Sequence, residues 1–247
     1  MVGKKIEIRM IKKIKPKKGA TFIEGLPGIG LVGTIAASYV KQKMDMELVG
    51  YVYSYNFPPI IAIHKFKPSY PMRLYYSQKE NLFVLVSEFV VPTPLVVELS
   101  ELIFDFVKKY KISKIVSLGS ITIKGEQDTV YAIATHDKDL RMLSKIKTVE
   151  LIKEGATTGV TAMLLARGIA SNTEVVSLLA EAREEYIDPG AAAMVIKVLN
   201  DVIVPNIDTD TLEQEAKDIE KEMKDVVSKV KNENSRYKKM ESFGFYG

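Results

Sequence analysis

The chain has 247 residues and a formal net charge of +4, and 47% of its residues are apolar. This length and apolar content suit one α/β domain of about 200 residues with an appendage, and they exclude a disordered protein. The absence of cysteine excludes disulfides, thiolate metal sites and cysteine nucleophiles. No apolar run approaches the roughly 20 residues of a membrane span, and the N-terminus lacks the apolar core of a signal peptide. We therefore expect a cytoplasmic protein without a membrane partner.

The N-terminal segment is basic, with eight lysine or arginine residues and one glutamate among its first eighteen residues. Ile6, Ile8 and Met10 have the alternation of a strand with one buried face, and a lysine-rich turn follows at residues 16–19. An RNA-binding arm is the alternative interpretation of this charge. The segment lacks the interleaved aromatic residues that stack on bases, so we predict a strand and no nucleic-acid partner.

Apolar periodicity then predicts an alternation of strands and helices as far as residue 199. The predicted strands are 20–24, 48–53, 60–66, 82–86, 115–118, 130–134 and 175–179, and the predicted helices are 31–43, 92–110, 159–167 and 189–199. Asp188 and Pro189 mark the start of the last helix as its cap and its first-turn proline. This alternation predicts a three-layer α/β fold, in which helices cover both faces of a largely parallel sheet.

The chain changes character after Pro205. Apolar residues between Leu212 and Val230 recur at alternating steps of four and three, which is the seam of a heptad helix. Such a helix packs on its own domain or on a sister subunit, because an isolated helix of this length is marginal in water. We therefore predict an α/β domain over residues 1–207 and a C-terminal helix over residues 208–231.

The last part of the chain, residues 232–247, is polar at first and aromatic at its end. We predict a flexible tail, because residues 232–242 have no apolar period. The chain ends in Phe245, Tyr246 and Gly247, and exposed aromatic rings of this kind anchor interfaces. The tail either folds back on its own domain or docks on a partner through these three residues, with the terminal carboxylate as an additional recognition group.

A glycine-rich segment, Gly28 to Gly33, matches the G-x-G-x-x-G pattern between a predicted strand and a predicted helix. A dinucleotide site also needs an acidic residue at the end of the next strand to hold the ribose, and the segment from Leu48 to Ser54 ends without one. Pro27 withdraws one backbone donor from the turn. We therefore interpret the glycines as a tight turn that lets the helix pack closely on the sheet, and we predict no cofactor.

The ends of several predicted strands carry polar side chains: Glu24, Glu88, Ser120 and Glu181. Ligands bind at this edge of open α/β sheets, and paired carboxylates there can act as acid and base. Carboxylates at strand ends also cap neighbouring helices, and neither His64 nor His136 has a catalytic or metal-binding spacing. The alternative function is therefore a small-molecule enzyme or ligand-binding protein that uses Glu24, Glu88 and Glu181, and no metal site is predicted.

The segment from Glu24 to Gly33 also carries a resemblance to a known family. Its sequence, with Gly25, Pro27, Gly28, Gly30 and Gly33, resembles the opening motif of the proteasome-assembly-chaperone family in its archaeal branch. The similarity continues through residues 155–159, 179–182 and 188–193 to the acidic C-terminal helix, so that it covers nearly the whole chain.

The resemblance implies a three-layer α/β domain similar in outline to nucleoside phosphorylases but without a catalytic set. It also implies an archaeal homo-oligomer, a tetramer or a pentamer. Phe245, Tyr246 and Gly247 match the hydrophobic–Tyr–any-residue tail with which proteasome activators enter pockets between neighbouring α-subunits. The implied function is a non-enzymatic assembly chaperone-like or activator-like adaptor, whose tails dock on the proteasome α-ring or on a related chaperone.

Overall fold

The computed structural model describes residues 6–64, 66–122, 129–182, 187–203 and 207–212. The predicted C-terminal helix beyond Leu212 and the predicted tail lie outside these ranges. The strands and helices of the described residues are β1 (Ile6–Met10), β2 (Thr21–Gly25), α1 (Val32–Lys43), β3 (Glu47–Ser54), β4 (Ala62–His64), β5 (Lys67–Ser69), β6 (Met72–Ser77), β7 (Leu82–Ser87), α2 (Val96–Tyr110), β8 (Lys114–Ile121), β9 (Val130–Ala134), α3 (Asp137–Leu143), β10 (Val149–Leu151), α4 (Gly159–Ser171), β11 (Glu174–Glu181) and α5 (Pro189–Val202).

Nine of these strands form one mixed sheet in the order β1-β3-β6-β7-β2-β8-β11-β9-β10. The four central strands, β7, β2, β8 and β11, are parallel to one another. On one side β6, β3 and β1 continue the sheet in antiparallel pairs, and on the other side β9 is antiparallel to β11 and parallel to β10. The remaining two strands, β4 and β5, form a separate hairpin.

Helices cover both faces of the sheet. Side chains alternate along each central strand between two cores, as Phe22 and Ile23 of β2 show, because successive residues of a strand point to opposite faces. Helices α1 and α5 pack over the core that contains Ile23, and α2 and α4 pack over the core that contains Phe22. All six residues of β7 are buried, as is typical of a strand covered on both sides. The predicted three-layer α/β fold is confirmed.

The two edges of the sheet differ in what they carry, and we name them by the parallel strands. The upper edge is where β2, β7, β8 and β11 end. Strand β3 ends and β6 begins at this edge as well, because β6 is antiparallel to both β7 and β3, so residues 55–71 lie there. Helix α5 begins at the upper edge, where the Asp188 N–H donates to the Gly30 carbonyl, and it ends at the lower edge.

The described part of the chain ends at the lower edge. The hydroxyl of Tyr39, on α1, donates to the Asp208 carbonyl at 2.6 Å, and Leu212 is fully buried against the same core. Asp188 caps α5 as the sequence predicts, since its Oδ1 accepts from the Ala191 N–H at 2.9 Å. Within the described ranges, no helix is both long and apolar enough to cross a membrane.

Candidate functional site

A cleft of about 300 Å³ opens at the upper edge, between the ends of β2 and β8 and the start of α4. We call it the strand-end cleft. Its apolar wall is formed by Leu26, Val90, Val91, Val96 and Leu179. Its polar groups are Glu24, Ser120, Thr157, Thr158 and Thr161. The structure thus brings together Glu24 and Ser120, which the sequence places at strand ends, with Thr157 and Thr158 from the loop before α4.

Glu24 is the buried acidic group of this cleft, with only 2% of its surface exposed. It lies opposite Ser117 of β8, whose hydroxyl donates to Glu24 Oε1 at 2.6 Å. The Ser117 hydroxyl is also 2.8 Å from the hydroxyl of Thr161 on α4. Burial raises the pKa of Glu24 to about 7, and hydrogen bonds from Ser117 and from the Leu26 backbone partly oppose that rise. Glu24 can therefore accept or donate a proton near neutral pH.

The glycine-rich turn forms one wall of the cleft, to which Pro27 and Gly28 contribute. Gly33, in the first turn of α1, leaves no room for a side chain, because a Cβ there would overlap the Leu118 carbonyl of β8. Gly30 adopts a φ of +62°, a conformation that favours glycine. The Ser120 hydroxyl donates to the Ile29 carbonyl at 2.5 Å and so fastens the turn to β8. These contacts describe a turn that packs a helix against the sheet.

Glu88, the second predicted carboxylate, lies outside the strand-end cleft. It forms a buried ion pair with Arg73 of β6, and its Oε1 is 2.8 Å from His64 Nε2 of β4. Arg73 also donates to the Ser69 hydroxyl of β5 at 3.2 Å. Glu88 and Arg73 therefore fasten the β4–β5 hairpin to the upper edge. The role of Arg73 is not visible in the sequence, because nothing there pairs it with a residue 15 positions away.

Glu181, the third predicted carboxylate, is buried at the end of β11. It pairs in register with Ile121 of β8, whereas Glu24 pairs with Ser117, four residues earlier on the same strand. It is not part of the cleft lining. The cleft therefore has one buried carboxyl group rather than a pair. Among the residues that the structure describes, no cluster of acidic or histidine side chains could hold a metal ion.

Two hydroxyl groups next to Glu24 were not predicted: Thr161, which lines the cleft, and Ser117, which contacts both Glu24 and Thr161. A serine within the otherwise apolar segment of β8 is the signal that could have indicated Ser117, because a buried hydroxyl needs a hydrogen-bond partner. The docking residues that the sequence predicts, Phe245, Tyr246 and Gly247, lie outside the described residues.

Comparisons with known proteins agree on one family. The sequence profile of the PAC2 family matches residues 22–227. The structure of Pyrococcus furiosus PbaA, described as an archaeal homolog of proteasome-assembly chaperone, aligns with a TM-score of 0.80 at 30% identity, covering 92% of this chain and 98% of PbaA. Pyrococcus furiosus PbaB, described as an archaeal proteasome activator, aligns with a TM-score of 0.75 at 27% identity, covering 90% of this chain and 99% of PbaB.

A relative of uncharacterized role shows the same extent of similarity. A protein of Methanocaldococcus jannaschii is 28% identical over 197 residues, which are 80% of this chain and 81% of that protein. The family profile covers the glycine-rich turn, the strand-end cleft and the segment that follows α5. The resemblance inferred from the segment between Glu24 and Gly33 is therefore confirmed, and the chain belongs to the PAC2 family.

Proposed function

We propose that this protein is a non-enzymatic adaptor of the proteasome system, similar to an assembly chaperone or an activator, that self-associates and displays its C-terminal tails. The observation that carries the proposal is the similarity along nearly the whole chain to PbaA and PbaB, whose described roles both concern the proteasome. The second support is the Phe245-Tyr246-Gly247 sequence, which follows a polar segment. The partner is the proteasome α-ring or a related chaperone.

The chemistry of the tail supports docking. The rings of Phe245 and Tyr246 supply the large apolar area that anchors interfaces. The carboxylate of Gly247 supplies a charge that a lysine or a set of backbone N–H groups can bind. One short tail binds weakly, but several tails on one oligomer raise the effective concentration of each tail that is still unbound. Self-association is therefore part of the proposed mechanism.

Deletion of residues 245–247 tests the proposal. We expect the deletion to abolish binding to an immobilised proteasome α-ring, as measured by surface plasmon resonance, and to leave the oligomer mass unchanged by light scattering. A matched control is the Gly247→Ala variant, which keeps the length, the carboxylate and both aromatic rings and should retain most of the binding, because the last position of the motif accepts any residue. Equal binding by the deleted and the full-length proteins would contradict the proposal.

The strand-end cleft favours a second candidate, the binding of a small molecule. Its specific support is Glu24, a buried carboxyl group beside the Ser117 and Thr161 hydroxyls in a cleft with an apolar wall. A ligand bound only by the folded protein raises its melting temperature, so a thermal-shift screen with nucleosides, nucleotides and phosphate tests this candidate. A compound that stabilises the wild type and not the Glu24→Gln variant would support it, and a screen without any shift would eliminate these ligand classes.

A further inference from the structure

Exposed apolar side chains are concentrated at the upper edge of the sheet. Among the described residues, nine large apolar side chains are exposed, and two of them, Ile11 and Ile169, lie toward the lower edge. The other seven lie in the β3–β6 connection or in the segment from the end of β7 to the start of α2. They form what we call the apolar edge surface: Tyr55, Ile61, Ile63, Phe66, Tyr70, Val90 and Val97.

Phe66 is the most exposed of these residues, and its backbone is strained. It lies in the turn of the β4–β5 hairpin, next to the paired residues His64 and Lys67. Its side chain is fully exposed and its φ is +66°, in the left-handed region where glycine and asparagine are preferred. An aromatic residue at this position stabilises neither the hairpin nor the core of a single copy. Its exposure and its φ therefore point to a contact that the described residues do not supply.

The apolar edge surface is held in place by contacts beneath it. The ring of Tyr70 stacks on Tyr51 of β3 with 3.8 Å between ring centroids, and Tyr53 packs edge-on against Tyr55 at 5.1 Å. The buried pair of Arg73 and Glu88 fastens the β4–β5 hairpin from below. A surface that is already ordered loses little conformational entropy when it binds, which favours association.

We propose that the apolar edge surface is the interface through which two copies of this chain associate. This assignment rests on the self-association that is part of the proposed function, and it names the surface that mediates that association. Three of the seven residues are aromatic and four are Ile or Val, and most of them are partly exposed. At roughly 150–250 Å² for a fully exposed aromatic side chain and less for Ile or Val, they together expose on the order of 800 Å², which is about the area that each partner contributes to a standard interface.

The path of the chain also favours a second copy over the chain's own C-terminal segment. The described chain ends at Leu212, buried beside α1 and α5, and residues 207–212 contact the lower half of α1 through Tyr39. Residues 213–247 therefore start at the edge opposite the apolar edge surface. Association through the upper edge therefore leaves Leu212, from which the C-terminal segment continues, on the far side of each domain.

A substitution of Phe66 tests the interface without threatening the fold. Asparagine tolerates a positive φ better than phenylalanine does, so Phe66→Asn should fold at least as stably as the wild type. We expect it to weaken self-association by about tenfold or more in sedimentation equilibrium, because it removes an aromatic anchor of the interface. The Ile63→Ser variant should act in the same direction. The matched control is Ile169→Ser, since Ile169 is as exposed as Ile63, at 72%, and lies at the other edge.

The measurements separate this inference from the proposed function. Weaker association of Phe66→Asn with unchanged association of Ile169→Ser supports the interface. A wild type that is monomeric at micromolar concentration, or equal association of Phe66→Asn and wild type, overturns it. Docking of a single tail is measured separately with a synthetic peptide of residues 232–247 on the α-ring. Peptide binding together with association that ignores Phe66 would retain the proposed function and reject only this interface.

Discussion

Glu24 links the protonation of the strand-end cleft to the stability of the fold. Its pKa in the folded protein is about 7, against an ordinary value of 4.5 that also describes the unfolded chain. Between these two pH values the folded protein binds more protons than the unfolded chain. The contribution of Glu24 to the free energy of unfolding is therefore fully present below pH 4.5. It is lost as the pH rises through 7, by about 3 kcal/mol in total. We expect chemical denaturation to show this loss in the free energy of unfolding.

The Glu24→Gln variant is the control for this prediction. Glutamine keeps an oxygen that can accept the Ser117 hydrogen bond, and it does not ionise. We expect the free energy of unfolding of this variant to lack the fall that titration of Glu24 causes. Relative to the wild type, the variant should therefore become more stable by about 3 kcal/mol between pH 4.5 and pH 8. A constant difference between the two proteins across that range would show that Glu24 does not titrate as burial requires.

The close approach of Gly33 to the sheet gives a second prediction. A Cβ at this position overlaps the Leu118 carbonyl, which belongs to a central strand and cannot move freely. We expect Gly33→Ala to destabilise the protein by about 1–3 kcal/mol, even though alanine favours helices, because overpacking outweighs helix propensity. Gly155→Ala is the control, since its Cβ would make an ordinary contact of 3.5 Å with Ile152. Equal melting temperatures for the two variants would contradict the close approach.

The site residues show how far sequence reasoning reaches at this scale. Glu24 and Ser120 were predicted at a ligand-binding edge because both follow recognisable buried strands, and the structure places both in the strand-end cleft. Glu88 also follows a buried strand, yet it turns to Arg73 on a strand that was not predicted. The position of a residue along its own strand can be read from the sequence. The residue that it will contact on another strand cannot, because that pairing is non-local.

At the scale of elements, the four long helices and most strands of the main sheet were predicted, whereas β5, β6, α3 and β10 were not. Helices α1, α2, α4 and α5 and the central strands match their predicted ranges to within a few residues. Strand β6 was missed because Arg73 and Ser77 leave it without the continuous apolar run of β7, its apolar residues do not alternate, and prolines stand before it at positions 68 and 71. The strand predicted over residues 60–66 is limited to Ala62–His64, since it pairs only with β5 and not with the main sheet.

The ion pair of Arg73 and Glu88 gives a prediction for the β4–β5 hairpin. Replacing Glu88 by leucine leaves the Arg73 charge buried without its carboxylate, so we expect a loss of about 3–5 kcal/mol in the free energy of unfolding. The double variant Arg73→Met/Glu88→Leu removes both charges and should recover most of that loss. Lys12→Met, which breaks the exposed Lys12–Glu47 pair, should change stability little. Additive losses in the double variant would show that the pair is not coupled.

At the scale of the whole molecule, the alternation of strands and helices predicts the layers but not the order of the strands. The sequence of β1, β3 and β6 gives no sign that they extend the sheet in antiparallel pairs beyond β7, because strand order depends on contacts between distant segments. The same non-local arrangement gathers seven exposed apolar residues from two separate connections at the upper edge. A surface of this kind is visible only once the topology is known.

The interface and the docking of the tails together predict that Phe66 affects binding to the α-ring, although it lies far from the tail in the sequence. The Phe66→Asn variant keeps every tail residue, so each single tail should bind as before. Loss of the oligomer removes the gain from multiple attachment, and we expect overall affinity for an immobilised α-ring to fall by about 10²–10⁴-fold. Surface plasmon resonance at several ring densities measures this, because the wild type should dissociate more slowly at high density and the variant should not. The Ile169→Ser variant should behave as the wild type. If the Phe66→Asn variant dissociates at the wild-type rate at every density, the upper edge does not contribute to the docking of the tails.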